Sequence, residues 1–314
     1  MSHTYCTYFD IRYLDKGLCL YNSLRSQLGD VELWVLCLDS EVLEKLQRLN
    51  LPGIRILRLD ELERADPALK ACRGNRRLVE YYFTSTPCLV NYLLQRVPKS
   101  GWVTYLDADL FFFGSPAPIL EEMAAGDVAI IPHRFSEKQK HLEIYGKYNV
   151  GWVSFRNSPA GIRCVKWWRK RCLEWCKDVP EKGKFADQKY LDQFHKITRS
   201  ELVIIRNPGA NFAPWNLPNH TITKERNRVE LDGHALIFFH FHDCKRVGER
   251  RFDPGLVKYG HILTEVVRDD IYLPYLRLLM EKWQNGNSST IRFDGVAVHP
   301  GKSELEDLIE VPIQ

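Results

Sequence analysis

The sequence predicts an α/β protein: a mostly parallel central sheet flanked by helices. Three observations predict it. Short apolar runs alternate with segments of helical period along most of the chain, and strand–helix alternation builds a parallel sheet covered on both faces. The composition, 45% hydrophobic and 27% charged over 314 residues, is that of a globular protein long enough to bury most of its surface. The run "WVTYLDADL" ends in two aspartates, Asp107 and Asp109. Sheets of this class bind ligands there, beyond the carboxyl ends of their strands.

"TYCTYF" (4–9) reads as the first strand and 14–28 as a helix. "VELWVLCL" (31–38) is the second strand, and Asp39 or Ser40 caps a helix over 39–50. "IRILRL" (54–59) is the third strand; 76–96 is helical, with Pro87 expected to kink or break it. "WVTYLD" (102–107), "DVAIIPH" (127–133), "YNVGWVSFRN" (148–157), "ELVIIRN" (201–207) and "HALIFFHFH" (234–242) are further strands. A basic, tryptophan-rich helix covers 160–177, and 255–283 reads as helical with Pro274 interrupting. From "NGNSS" (285–289) the chain reads as linker and short tail. The division is a domain over 1–250 and a C-terminal helical extension and tail over 251–314.

Net charge is only +4, with no long basic run, which argues against a nucleic-acid partner. Nine cysteines without a C-x-x-C read as reduced thiols of a cytoplasmic protein, not as a zinc site or a secreted disulfide framework. The N-terminus lacks a signal-peptide pattern, and no stretch approaches the roughly 20 apolar residues of a membrane helix. Any membrane contact is therefore expected to be peripheral. In "RCVKWWRKRCLEWCK" (163–177), Val165, Trp168, Cys172 and Trp175 share an apolar helix face, and Trp167, Lys170 and Arg171 lie on or near the other side. That side is either a solvated basic surface or a contact for anionic lipid. Oligomeric state has no signature in the sequence.

On an extended backbone, side chains two apart point the same way, so Asp107 and Asp109 can aim at one point. Two carboxylates there suit Mg²⁺ or Mn²⁺; the structural alternative is a turn aspartate and a helix cap. "FFHFHDCKR" adds His240 and His242 at a strand end, followed by Lys245 and Arg246. Imidazole can complete a metal sphere, and the cations can hold phosphate oxygens. "FADQKYL" offers Asp187 and Gln188 before a helix, where a cap is the alternative. "YNVGWVSFRN" offers Asn149 and Gly151; a glycine there admits a ligand close to the backbone or marks a bulge. Arg73, Arg76 and Arg77 form a cluster that is either a solvated face or a phosphate clamp.

In this order the pieces resemble the retaining GT-A-fold glycosyltransferases, in the group of glycogenin and the bacterial lipopolysaccharide galactosyl- and glucosyltransferases. The resemblance spans roughly 4–246 and rests on "YLDADLFFFGSP", "NVGWVSFRN", "ADQ" and "HFHDCKR". It implies a GT-A fold, a nucleotide-diphosphate-sugar donor (by preference a UDP-sugar), Mn²⁺ or Mg²⁺, and a glycan, lipid-linked glycan or protein acceptor. Asp107 would touch metal or donor ribose, Asp109 would be the main metal ligand, and His240 the third. Lys245 and Arg246 would grip the diphosphate. Thr7, Tyr8 and Tyr13 would surround the base, and Arg77 would reach phosphate or sugar. Asn149 and Gly151 would border the sugar, with Asp187 and Gln188 near its anomeric carbon. The chain departs from the group at Asp243, where a glycine is usual, and lacks the Lys-Pro-Trp ending. No second carboxylate is placed as a general base, in keeping with retention. An aspartate-nucleophile phosphatase would carry its D-x-D near the N-terminus, and a pyrophosphorylase would want a glycine-rich first loop. The alternative of another class is a non-catalytic carbohydrate-binding or scaffold protein that kept the fold.

Overall fold

The computed structural model describes residues 2–226, 228–285 and 308–312; the linker and tail expected after residue 285 lie outside the described residues, apart from 308–312. The first half alternates as expected: β1 His3–Phe9, α1 Leu14–Leu28, β2 Leu33–Cys37, α2 Ser40–Leu49, β3 Ile54–Arg58, α3 Leu59–Ala65, α4 Pro67–Cys72, α5 Leu78–Leu94 and β4 Trp102–Leu106. There follow β5 Leu110–Phe112, α6 Ala117–Met123, β6 Val128–Pro132, β7 Tyr148–Arg156, α7 Pro159–Glu174, α8 Phe194–Thr198 and β8 Leu202–Ile204. The last part holds β9 Ile222–Glu225, β10 Arg228–Leu231, β11 His234–Ala235, β12 Phe238–His240, β13 Lys245–Arg246, β14 Arg251–Asp253, α9 Leu273–Asn285 and β15 Ile309–Glu310.

Seven strands form the central sheet in the order β3-β2-β1-β4-β7-β6-β8. β7 runs antiparallel to both its neighbours; the other adjacent pairs are parallel. Because β7 is reversed, its first residues lie beside the carboxyl end of β4. One sheet face packs on α5 and α7 through Val103, Val153, Phe155, Leu89 and Trp168. The other packs on α1 and α2 through Tyr5, Val35, Leu20, Leu24 and Leu46. A third core joins Phe212, Phe239 and Phe241 to Tyr272, Tyr275 and Ile309, so the segment after 250 shares its apolar interior with the strands before it.

Asp39, not Ser40, caps α2, its carboxylate accepting from Val42 N at 2.8 Å. α5 runs through Pro87 unbroken, its following residues Cys88, Leu89, Val90 and Leu93 buried in the core; packing outweighs one missing hydrogen bond. The run 234–242 is not one strand. The chain leaves β11 to cross Gly209, whose carbonyl accepts from Ile237 N and Phe238 N, and then pairs as β12 with β5. The helical reading of 255–283 holds only in its second part. A π-helical turn, Val267–Tyr272, runs straight into α9, and Leu273 N donates back to Arg268 O. The wider turn accommodates Pro274 just beyond it. In α7, Trp167 packs edge-on against Tyr190 and Phe194 rather than facing solvent, and Trp175 has already left the helix in an extended conformation. All nine cysteines are buried and none is disulfide-bonded. Among the described residues no helix is long and apolar enough to cross a membrane.

The buried carboxylate Asp66 caps α4 and receives both Nε and Nη2 of Arg169 from α7. Burial would raise its pKa, but the hydrogen bonds and charge of Arg169 outweigh burial and hold it below the ordinary value. Arg169→Leu is expected to cost about 3 kcal/mol at pH 7, the low end for a buried pair because the guanidinium is partly exposed. A depressed folded pKa stabilises above the unfolded value, about 3.9, and that stabilisation is lost as pH falls through the folded value. The gap between wild type and variant in urea denaturation should therefore shrink below pH 4.

Candidate active site

β4 is buried along its whole length, so the first carboxylate the chain can offer to a cleft is at its end. Asp107 N donates to Gly151 O at 3.2 Å, and Leu110 N closes the turn on Asp107 O at 3.3 Å. β5 then pairs antiparallel with β12, with Leu110 opposite His240, and Phe241 N donates to Asp109 O at 3.0 Å. This ladder delivers His240 to the two carboxylates. Its Nε2 lies 3.1 Å from Asp109 Oδ1 and 3.8 Å from Asp107 Oδ2. His242 points the same way; ligand atoms of Asp109, His240 and His242 all lie within 4.8 Å of one another. Trp215 sets its ring nearly perpendicular to both imidazoles, at 5.2 and 5.6 Å.

The electrostatics divide the two acids. Burial pushes Asp107 up to about 6, against the attraction of His240. Burial also acts on Asp109, but the charge and hydrogen bond of His240, with the buried Lys16 behind, hold it well below the carboxylate range. Desolvation opposes charge on His240, yet the same aspartates raise its pKa above the ordinary value. Partial desolvation lowers the pKa of His242, whose side chain stays 42% exposed. Asp109 and the two imidazoles, with Asp107 3.8 Å from His240, form a donor set that fits a divalent cation, which would replace the proton His240 shares with Asp109.

Asn149, Asp187 and Gln188 lie near these groups: Asn149 meets Gln188 at the start of β7, and Asp187 is close enough to Asp107 to be repelled by it. Asn149 Oδ1 accepts from Gly151 N at 2.8 Å, and its Nδ2 meets the ring of His133 at 3.1 Å. Gln188 bridges Val150 N and Tyr145 O. Asp187 is buried, and burial, opposed by a hydrogen bond from Thr86, pushes it up to about 7; Asp107 adds repulsion. The space over Gly151, expected to admit a ligand, is taken by side chains of the site itself: an added Cβ would lie 2.4 Å from Asn149 Oδ1 and 3.1 Å from the His240 ring. Tyr13 and Lys245 stand half-exposed, Tyr13 beneath Lys16 Nζ at 4.3 Å and Lys245 near Asp243 at 3.8 Å.

Four more of the expected residues are placed as follows. Thr7 is fully buried within the sheet. Tyr8 is half-buried, its hydroxyl accepting from Thr86 Oγ1 at 3.3 Å and its ring 5.5 Å from that of Tyr105. Arg77 is held by Glu80 and Asp178 at the start of α5, nine residues, or roughly 13 Å of helix rise, before Thr86. Arg246 is buried, its guanidinium on the carbonyls of Gly248 and Glu249, so Lys245 alone of the pair faces outward.

Sequence reasoning missed His133, Trp215, Tyr105 and Thr86. His133 had a signal, a histidine ending a strand, as His240 does; the others lie in an apolar strand, a helix and a loop with no pattern to mark them. Asp243 stands where the resembled group has glycine, and its φ of 60° explains that preference. Aspartate is among the few other residues that visit this region, and here its carboxylate meets Lys258 at 2.6 Å and His242 at 3.5 Å.

No protein-family model matches the chain. It is 34% identical over 250 residues to the uncharacterized protein YfnF of Bacillus subtilis strain 168, covering 77% of this chain and 81% of that one. It is 29% identical over 274 residues to the uncharacterized protein YfnD of the same organism, 86% of each chain. Among solved structures it is similar to the galactosyltransferase LgtC in complex with donor and acceptor sugar analogs, with a TM-score of 0.52 and 16% identity over 90% of this chain and 99% of that one. That likeness is one of fold: the mixed seven-stranded sheet flanked by helices is the GT-A arrangement.

Proposed function

This chain belongs to the family of Bacillus subtilis YfnF and folds as a GT-A protein, and from that premise we propose that it is a metal-dependent glycosyltransferase. It moves a sugar from a nucleotide-diphosphate sugar, by preference a UDP-sugar, to a glycan, lipid-linked glycan or protein acceptor with retention. The observation that carries this reading is the convergence of Asp107, Asp109 and His240, with His242 beside them, at the carboxyl end of β4. The donor and acceptor sugar analogs bound by LgtC support the substrate class.

Asp107, Asp109 and His240 would hold Mn²⁺ or Mg²⁺, whose charge neutralises a diphosphate leaving group. Lys245, on the exposed face of β13, adds positive charge toward the phosphates. Asp187 and Gln188 face the sugar from the other side of the cleft, and Asn149 orders that wall through Gly151 and His133. Tyr8 and Tyr13 would lie around the base.

Isothermal titration with UDP tests the proposal. Affinity in Mn²⁺ is expected to exceed that in EDTA by at least about tenfold, or 1.4 kcal/mol. Equal affinity in both would remove the metal from the function.

A further inference from the structure

A lysine is buried where folding alone disfavours one. Lys16 is the third residue of α1 and only 9% exposed. Taking an ammonium out of water costs free energy, and lysine is among the residues least often buried. The first turn of a helix also carries the positive end of its dipole, which suits an acid, and Asp15 next door supplies one. An unbranched apolar side chain of similar length would avoid both costs. The lysine is therefore explained by what its Nζ touches rather than by stability.

Nζ donates to Cys244 O at 3.3 Å, across 228 residues of chain. It also stands 4.3 Å from the centroid of the Tyr13 ring. An ammonium has donors pointing three ways, so it can meet a carbonyl and a ring face at once. Each partner leads to a different part of the candidate donor site. Tyr13 is 43% exposed, on the side assigned to the base. Cys244 is buried, and the next residue, Lys245, opens β13 with its side chain exposed, on the side assigned to the phosphates. We propose that Lys16 is a positioning residue: it fixes the Tyr13 ring and the Cys244–Lys245 backbone relative to each other and so sets the span between the donor's base and its diphosphate. This role rests on the glycosyl-transfer reading. A ligand that carries base and diphosphate together gains from both contacts only where the two are held at the matching span. Loosening that span weakens the joined ligand most and leaves a ligand that uses one end nearly unaffected.

The test compares Lys16→Met, Tyr13→Leu and the double variant with wild type in the full chain. Three quantities are read: the melting temperature, the affinity for UDP in Mn²⁺, and the affinity in Mn²⁺ for inorganic pyrophosphate, which has no base. Methionine keeps most of the length of lysine without its charge, so Lys16→Met is expected to melt no earlier than wild type. It should nonetheless bind UDP about tenfold more weakly, with pyrophosphate within about threefold of wild type. Tyr13→Leu should show the same split, and the double variant should bind UDP no more weakly than the weaker single variant. Unchanged UDP affinity in Lys16→Met overturns the link. So does an equal loss for UDP and pyrophosphate, which makes the lysine a charge of the phosphate end alone. A Lys16→Met protein that unfolds, or melts well below wild type, makes Lys16 a structural residue and overturns the link as well, as do losses that add in the double variant. A wild type that binds neither ligand rejects the donor reading and the link with it; a wild type that binds both, with Lys16→Met unchanged, rejects the link alone.

Discussion

Asp109→Asn is expected to lose at least about a hundredfold in kcat/KM for sugar transfer, close to 2.7 kcal/mol of transition-state stabilisation, with the fold intact. The carboxylate is buried against His240 and carries the strongest pull toward ionisation in the cleft. The amide keeps its shape and can still hydrogen-bond the imidazole. It removes the negative charge that a cation needs and that raises the pKa of His240. The melting temperature should move by only a few degrees, because backbone bonds from Asp107 and Phe241 hold this turn independently of the side chain. Circular dichroism and turnover at limiting Mn²⁺ check the two halves. Unchanged turnover takes Asp109 out of the site; a collapsed spectrum makes it a structural residue.

The alternation of strand and helix up to β4 was legible because each element carries its own period and its own stop signal: Asp39 before α2, the carboxylates after β4. Elements defined by distant partners were not. The apolar run 234–242 looks like one strand, and only the pairing with β5, some 130 residues earlier, cuts it into β11 and β12. The same non-local ladder brings His240 to Asp109, which short motifs in order suggested and spacing alone could not give. Residue type proved a poor guide to exposure near the cleft. Arg246 and Lys245 are neighbours in sequence, but on a strand they face opposite ways, and the arginine is consumed by backbone carbonyls. Thr7 and Tyr8 alternate likewise, the threonine fully buried and the tyrosine half-buried. Glycine at 151 signalled a close approach, and the groups that approach are the Asn149 amide and the His240 ring of the site itself.

The second large effect separates the two histidines. His240 is almost fully buried and 3.1 Å from Asp109, whereas the side chain of His242 is 42% exposed and leans 3.5 Å from Asp243. A ligand buried between two carboxylates is pre-oriented, its ring fixed by Gly151 on one side and Trp215 on the other; one half in solvent must be ordered on binding. His240→Gln, which keeps bulk where alanine would leave Asp109 facing a cavity, is therefore expected to raise the Mn²⁺ needed for half-maximal donor hydrolysis by at least about tenfold. His242→Gln should raise it by no more than about threefold and act mainly on KM for donor or acceptor, since Asp243 and Lys258 hold that ring at the rim. A Mn²⁺ titration of both variants decides the order. A larger shift for His242→Gln reverses the assignment and makes Asp109, His240 and His242 a set in which the exposed imidazole dominates. No shift in either leaves the cation to the carboxylates and phosphates, with both rings serving only to pack Trp215 against the cleft.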